Sequence, residues 1–433
     1  MRKYFYNAES QHAGGQPSPD HRFISFLLDM HFGFSSAAWW GPPKKFDQPE
    51  RDRRVSWLEL FYDLVYVIAI SRITHHFSEH VSLGSFFEYA GLFCLIFWGW
   101  LNGSLYYDLH GNEGLRTRLM TLWQMMIIAA LSITLSLPDP NHVHVTVVFM
   151  VMQFFITYLW WSVGFYDPSH RPYSRPYTVL YLLSLGLMGL SLVFPERWLT
   201  WLLPVVLVCN YAPPFISQGL LRRSSRNIDM TPSMFERLGL FTIIVFGELV
   251  LGVINGVSDT QEMDFLAWLN FALALAIIFA LWWIFFTLVW RGEAQKGFIK
   301  ASALELLYIP PLITLGLMAV SFTSFFDPHE EARALRPLFG YAVAVFLTSI
   351  SLIMGLVEVL KRVRPLKRRF RLSLVLTAAV FLLSALIAFQ PAMLYYLLGV
   401  LVVLVIEILY LNSLYYASAS EEENEINEPQ TAS

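Results

Sequence analysis

Twelve stretches of roughly twenty mostly apolar residues follow one another through this chain, near 56–77, 85–107, 119–137, 143–165, 177–194, 198–219, 236–257, 265–290, 303–326, 337–360, 371–389 and 391–413. A hydrocarbon core of roughly 30 Å takes about twenty helical residues to cross. In lipid, each backbone N–H and C=O has to be satisfied within the protein, so a stretch of this kind is confined to a helix. The expected fold is an all-α integral membrane protein of about twelve transmembrane helices. Composition agrees: 56% of the 433 residues are hydrophobic and 15% are charged, against roughly 25% charged in soluble domains. The stretch 23–40 carries Asp29 and His31 and runs into Gly41-Pro42-Pro43. It reads as an interfacial segment of a cytoplasmic N-terminal tail, residues 1–54.

Lysine and arginine give the direction of the chain. With the N-terminus in the cytoplasm, twenty-two of them flank the spans on the cytoplasmic side, seven in 361–371 alone, and only Arg197, Arg333 and Arg336 lie opposite. The positive-inside rule then predicts both termini in the cytoplasm and a multi-pass protein of the plasma membrane. The last residues, 415–433, form a short acidic tail that reads as disordered.

The spans divide into two halves, 55–226 and 227–414. FYDLVYVIAI at 61–70 aligns with FGELVLGVIN at 246–255, so Asp63 falls on Glu248. The same offset lays Phe97-Trp98-Gly99-Trp100 on Trp282-Trp283-Ile284-Phe285. Six spans is an even number, so the halves are expected to be parallel six-helix pseudo-repeats with a shared interface, where transporters of this kind bind their substrate.

Carboxylates inside spans are costly and usually face a bundle interior or a wet cavity. Asp63 and Glu248 are the foremost candidates for proton or cation binding. Glu59 lies one helical turn from Asp63 on the same face and is placed to modulate it. Glu305 and Glu407 are further acids for a cavity. The competing reading of all five is structural: acids that tie helices together by hydrogen bonds. Glu236 and Arg237 read as a local ion pair at the mouth of the seventh span. Pro213-Pro214 and Pro310-Pro311 break the sixth and ninth spans, because each proline removes a backbone donor. Such breaks survive in a membrane only where protein or water meets the freed carbonyls.

Several function classes are excluded or disfavoured. The net charge of -3 gives no reason for a nucleic-acid partner, leaving membrane lipids and a small ion or solute. The two cysteines, Cys94 and Cys209, each sit in an apolar run, so no disulfide framework is expected. His75, His76 and His80, with His142 and His144, read as solvated loop residues, so no metal is assigned. Nucleotide loops, zinc-protease helices and nucleophile elbows are lacking in the sequence, and no enzyme or cofactor is expected.

WLELFYDLVYVIAI at 57–70 resembles the opening signature of the low temperature requirement protein A family, with Glu59 and Asp63 as its acids. ERLGLFTIIVFGELVLGVI resembles the family's second signature, with Gly247-Glu248 at its core, and LWWIFF at 281–286 resembles its eighth span. The similarity extends over residues 55 to about 310. It departs after the tryptophan pair, where FFTLVW holds no acid, and at ALELLYIPP, where Glu305 stands in a segment that often carries histidine. The resemblance implies a polytopic membrane protein and, through the family's name, a link to growth in the cold and to stress; it names no chemistry. The function expected is a proton- or cation-coupled secondary transporter or permease. The alternative is a non-transporting scaffold or sensor that binds anionic lipid or a partner.

Overall fold

The computed structural model describes residues 55–427 apart from 112–113, 138–140, 196–198, 222–228, 259–263, 291, 327–334, 359–363 and 388–390. The segment 23–40, most of the loop arginines and Lys361 lie outside the described residues. The helices are α1 (Trp57–Glu79), α2 (Leu83–His110), α3 (Leu115–Leu135), α4 (His142–Tyr166), α5 (Arg171–Ser191), α6 (Leu199–Tyr211), α7 (Pro213–Leu221), α8 (Pro232–Ser258), α9 (Phe265–Leu288), α10 (Phe298–Leu307), α11 (Ile309–Phe325), α12 (Arg336–Leu356), α13 (Lys367–Leu386) and α14 (Met393–Asn427). Glu293–Ala294 and Val357–Glu358 pair as a two-residue antiparallel ladder, the one strand pairing among the described residues.

Helices occupy all twelve apolar segments. Nine, among the described residues, are long and apolar enough to cross a membrane. The other three fall short for different reasons. In α1 the charges Glu59, Asp63, Arg72 and Glu79 lower its hydropathy, and α5 opens on a run of arginine, proline and tyrosine. The segment 198–219 is cut in two at Ala212. The helix α14 also runs to Asn427, into the acidic tail expected to be disordered. Glutamate is a good helix former, and extending an existing helix costs far less than nucleating one.

The start of α1 is a capping box. The Glu59 backbone N–H donates to Ser56 Oγ at 3.3 Å, and the Ser56 N–H donates back to the Glu59 carboxylate at 2.8 Å. The signature S-x-x-E is therefore the local reason for Glu59, whatever else it touches. Asp264 caps α9 with its side chain alone, accepting from the Ala267 N–H at 2.7 Å.

The same neighbours recur in the two halves. Contacts α1–α2, α1–α3, α3–α4, α4–α5, α5–α6 and α2–α6 in the first have counterparts α8–α9, α8–α11, α11–α12, α12–α13, α13–α14 and α9–α14 in the second. Between halves, α1 and α2 pack on α8 and α11, and α7 packs on α10.

One close helix contact inside the second half rests on Gly252 and Gly256, a G-x-x-x-G pair on α8. A Cβ at Gly252 would meet the Ala319 carbonyl oxygen of α11 at 2.5 Å, and one at Gly256 would meet the Thr323 carbonyl oxygen at 2.7 Å. Both obstacles are backbone, so a side chain there forces the helices apart. Gly252→Val is expected to cost about 1–3 kcal/mol or more. Thermal unfolding in detergent checks this; a midpoint equal to the unmodified protein would contradict the close approach.

Candidate functional site

Two polar sites are built into the bundle. The first is a buried charge cluster. Arg237 of α8 donates to Asp63 Oδ1 at 2.6 Å and reaches Glu59 Oε1 at 3.4 Å, and all three side chains are at most 1% exposed. Trp100 of α2 donates its indole N–H to the same Asp63 oxygen at 2.7 Å. The guanidinium lies 5.5 Å from the Tyr62 ring and 5.8 Å from the Trp100 ring, within range of cation–π attraction. Arg237 is thus not the local partner of Glu236. It points across the half-to-half boundary, where two carboxylates of α1, one turn apart, face it.

Glu248 is held elsewhere. Ser71 of α1 donates to Glu248 Oε1 at 3.0 Å. Asp63 and Glu248 both face the α1–α8 boundary, but the partner of Glu248 is eight residues beyond Asp63 on α1, about 12 Å along the helix axis. The expected meeting of the two acids does not occur. The pairs 63–237 and 71–248 advance together, so α1 and α8 run parallel, the orientation expected for halves separated by an even number of spans. Glu407 of α14 accepts from Ser373 at 2.7 Å and Thr377 at 2.8 Å, both on α13. It is a tie between neighbouring helices and does not join the cavity described next. His75 and His76 lie beside Glu79 near the exposed end of α1, and no group of metal-ligating side chains occurs among the described residues.

The second site is a cavity of about 20 Å³, room for about one water molecule. It lies where α7 meets α10, between the halves, and both proline-broken segments form its wall. Pro214 and Phe215 come from α7; Ser302, Glu305 and Leu306 come from α10 just before the break at Tyr308. Pro213 and Pro310 start the next helices, where a missing N–H does no harm. Across the cavity stand Trp98 and Asn102 of α2, Tyr177 and Tyr181 of α5, and Asn210 of α6.

A buried polar network sets these walls. Asn102 Oδ1 accepts from the Tyr181 hydroxyl at 2.6 Å and the Trp160 indole at 3.0 Å, while Asn102 Nδ2 donates to the Trp98 carbonyl at 2.9 Å. The Trp98 indole donates to the Asn210 carbonyl at 2.9 Å, a group that Pro214 deprives of its helical donor. Gln153 of α4 donates to Asn210 Oδ1 at 3.1 Å. Two groups on the cavity wall lack partners among the described residues. Asn210 Nδ2 is buried with no acceptor, and Glu305, 5% exposed, makes no hydrogen bond or ion pair. The charged group acting on Glu305 is another acid, Asp108.

Of the acids expected to matter, then, Glu59 and Asp63 share Arg237, Glu248 and Glu407 are held by hydroxyls, and Glu305 alone lines a cavity. The sequence reading pairs Arg237 with Glu236 and passes over Asn102, Gln153 and Asn210. A signal existed for each: an arginine six residues into an apolar helix, and amides within three other apolar segments.

A family model described as the bacterial low temperature requirement A protein matches residues 54–408. The chain is also similar to an uncharacterized protein of Rhizobium meliloti (strain 1021), 26% identical over 244 residues. That match covers 54% of this chain and 58% of the relative, so the chain spans little more than half of the relative's length.

Proposed function

We propose that this chain, which belongs to the bacterial low temperature requirement A family, is a proton- or cation-coupled secondary transporter or permease and not an enzyme. Its transport site is the cavity between α7 and α10. The observation that carries this reading is Glu305, a buried carboxyl group on the wall of a small cavity, without a hydrogen-bond or ion-pair partner among the described residues. A carboxyl group in that position costs stability and gives nothing back to the fold, which is the mark of an intramembrane acid kept for a mobile charge. The two broken helices support it, since half-helix ends at the junction of repeats are where transporters hold ions. The matching neighbours of the two halves support a duplicated six-helix unit with twelve spans. The excess of lysine and arginine on alternate loops supports cytoplasmic ends and a plasma-membrane location.

Flux in proteoliposomes under a pH gradient tests the reading. Glu305→Gln is expected to bring flux to the level of empty vesicles. Glu407→Gln, remote from the cavity, is expected to retain it. Unchanged flux in Glu305→Gln would overturn the proposal.

A second reading is favoured by the charge cluster. Asp63, Glu59, Glu248 and Glu407 each bind a neighbouring side chain, as acids do in a scaffold that moves nothing. In that case the basic segment 361–371 binds anionic lipid headgroups. No flux from the unmodified protein, together with sedimentation on anionic but not neutral vesicles that is lost on neutralising 361–371, would select it.

A further inference from the structure

We infer that the cavity between α7 and α10 is a binding site for a single, dehydrated monovalent cation of about the size of a water molecule, with Glu305 as its counter-charge. The inference rests on the transporter reading only for what the site is used for; the binding itself stands or falls separately.

Size comes first. A cavity of about 20 Å³ holds about one water-sized particle, which suits a small ion without its full hydration shell. Charge comes second. Glu305 is the one carboxylic acid among the lining residues, and no lysine, arginine or histidine lines the cavity. The further charge acting on Glu305 is the acid Asp108, which accepts from Thr231 at 2.6 Å. One carboxylate on the wall balances one positive charge.

The ligand atoms are hard. The lining includes the oxygen-bearing side chains of Glu305 and Ser302, with no cysteine, methionine or histidine. Pro310 and Pro311 have no N–H, so Leu306 and Leu307 lose their regular helical donors. The C-terminal end of α10 is also the negative end of its dipole. A carboxylate has about four lone-pair positions. None of them is taken by a hydrogen bond among the described residues, which leaves them for a cation. Oxygen ligands of this kind suit alkali ions, and the rings of Trp98, Tyr177 and Tyr181 favour weakly hydrated cations over strongly hydrated ones. A divalent ion is disfavoured, because it would keep an uncompensated charge in a buried site with one carboxylate on its wall.

The titratable groups facing Glu305 are Asp108 from α2 and Tyr173, Tyr177 and Tyr181 from α5. A proton and a cation therefore compete for the same carboxylate, and acid should displace the ion.

The test uses the full chain in detergent, titrated with sodium, potassium, rubidium or ammonium chloride at constant ionic strength, with the bulky cation N-methylglucamine as balance. Tryptophan fluorescence, with Trp98 on the cavity wall, and thermal midpoint are the readouts. The expected result is a saturable response to at least one small cation, weaker at lower pH. Glu305→Gln should shift its half-saturation at least ~10-fold upward, while Glu407→Gln keeps it. Glu305→Asp keeps the charge, shortens its reach and should change the order of preference among the cations. It serves as the decisive variant if Glu305→Gln fails to fold. No saturable response to any of the four cations, or an identical response in the Glu305 variants, overturns the inference. Saturable binding without flux keeps the cation site and overturns the transporter reading. Flux driven by a pH gradient with no response to the cations keeps the transporter reading and overturns the cation site.

Discussion

Replacing Arg237 with methionine is expected to lower stability by about 3–5 kcal/mol, the loss typical of removing one member of a buried ion pair. The magnitude follows from what remains. Asp63 keeps the Trp100 indole but loses its one charged partner among the described residues. Glu59 keeps its two bonds to Ser56 and the positive end of α1, so most of the penalty falls on Asp63. Asp63→Leu added to Arg237→Met should recover the greater part of the loss, because removing both charges leaves no ion buried alone. Arg237→Lys should give an intermediate loss: a lysine carries the charge but cannot hold two carboxylates with a planar fork. Thermal or denaturant unfolding in micelles, followed by circular dichroism, measures all three. If the single and double variants were equally stable, the 2.6 Å pair would not be the tie between halves that its geometry indicates.

Asn102→Leu is the second large effect. The amide satisfies three groups at once: the Tyr181 hydroxyl, the Trp160 indole and the Trp98 carbonyl. Leucine is close to it in size and satisfies none. Each buried donor left unpaired costs about 1–3 kcal/mol, although hydrogen bonds inside membranes average nearer ~0.6 kcal/mol because the reference state also finds partners. A total loss of about 2–4 kcal/mol is expected, with loss of flux, since Tyr181 and Trp98 form the cavity wall. Asn102→Asp retains the acceptor for Tyr181 and Trp160 and loses only the donor to Trp98. It should be the milder change to those two contacts, while placing a second carboxylate beside the cavity that Glu305 lines. Leucine and aspartate variants of equal stability would show that the two donors have other partners.

The acids illustrate what a linear pattern can convey. That Asp63 and Glu248 are buried followed from their place in apolar runs, since a charge in such a run faces inward. Their partners did not follow. Arg237 stands next to Glu236 in the chain, and nearest neighbours in sequence make the simplest pair; helical geometry turns Arg237 inward, where it meets α1 from the other half. Glu59 was legible in a different sense. Its S-x-x-E spacing specifies a cap that depends on four consecutive residues alone. The helix breaks at Ala212 and Tyr308 were equally legible, because proline acts on its own backbone. That both broken segments border one cavity was not, since they are about ninety residues apart.

The sequence by itself determined the solvent, the helices, their approximate ends and the residues that lipid would refuse, because each depends on hydrophobicity, local hydrogen bonding or proline chemistry over one or two helical turns. Tertiary structure alone decided which of those refused residues satisfy one another. Arg237 with Asp63, Ser71 with Glu248 and Glu407 with two hydroxyls are contacts between separate helices, set by the packing of whole faces at once. Packing also left Glu305 without a partner among the described residues, beside a cavity of about 20 Å³.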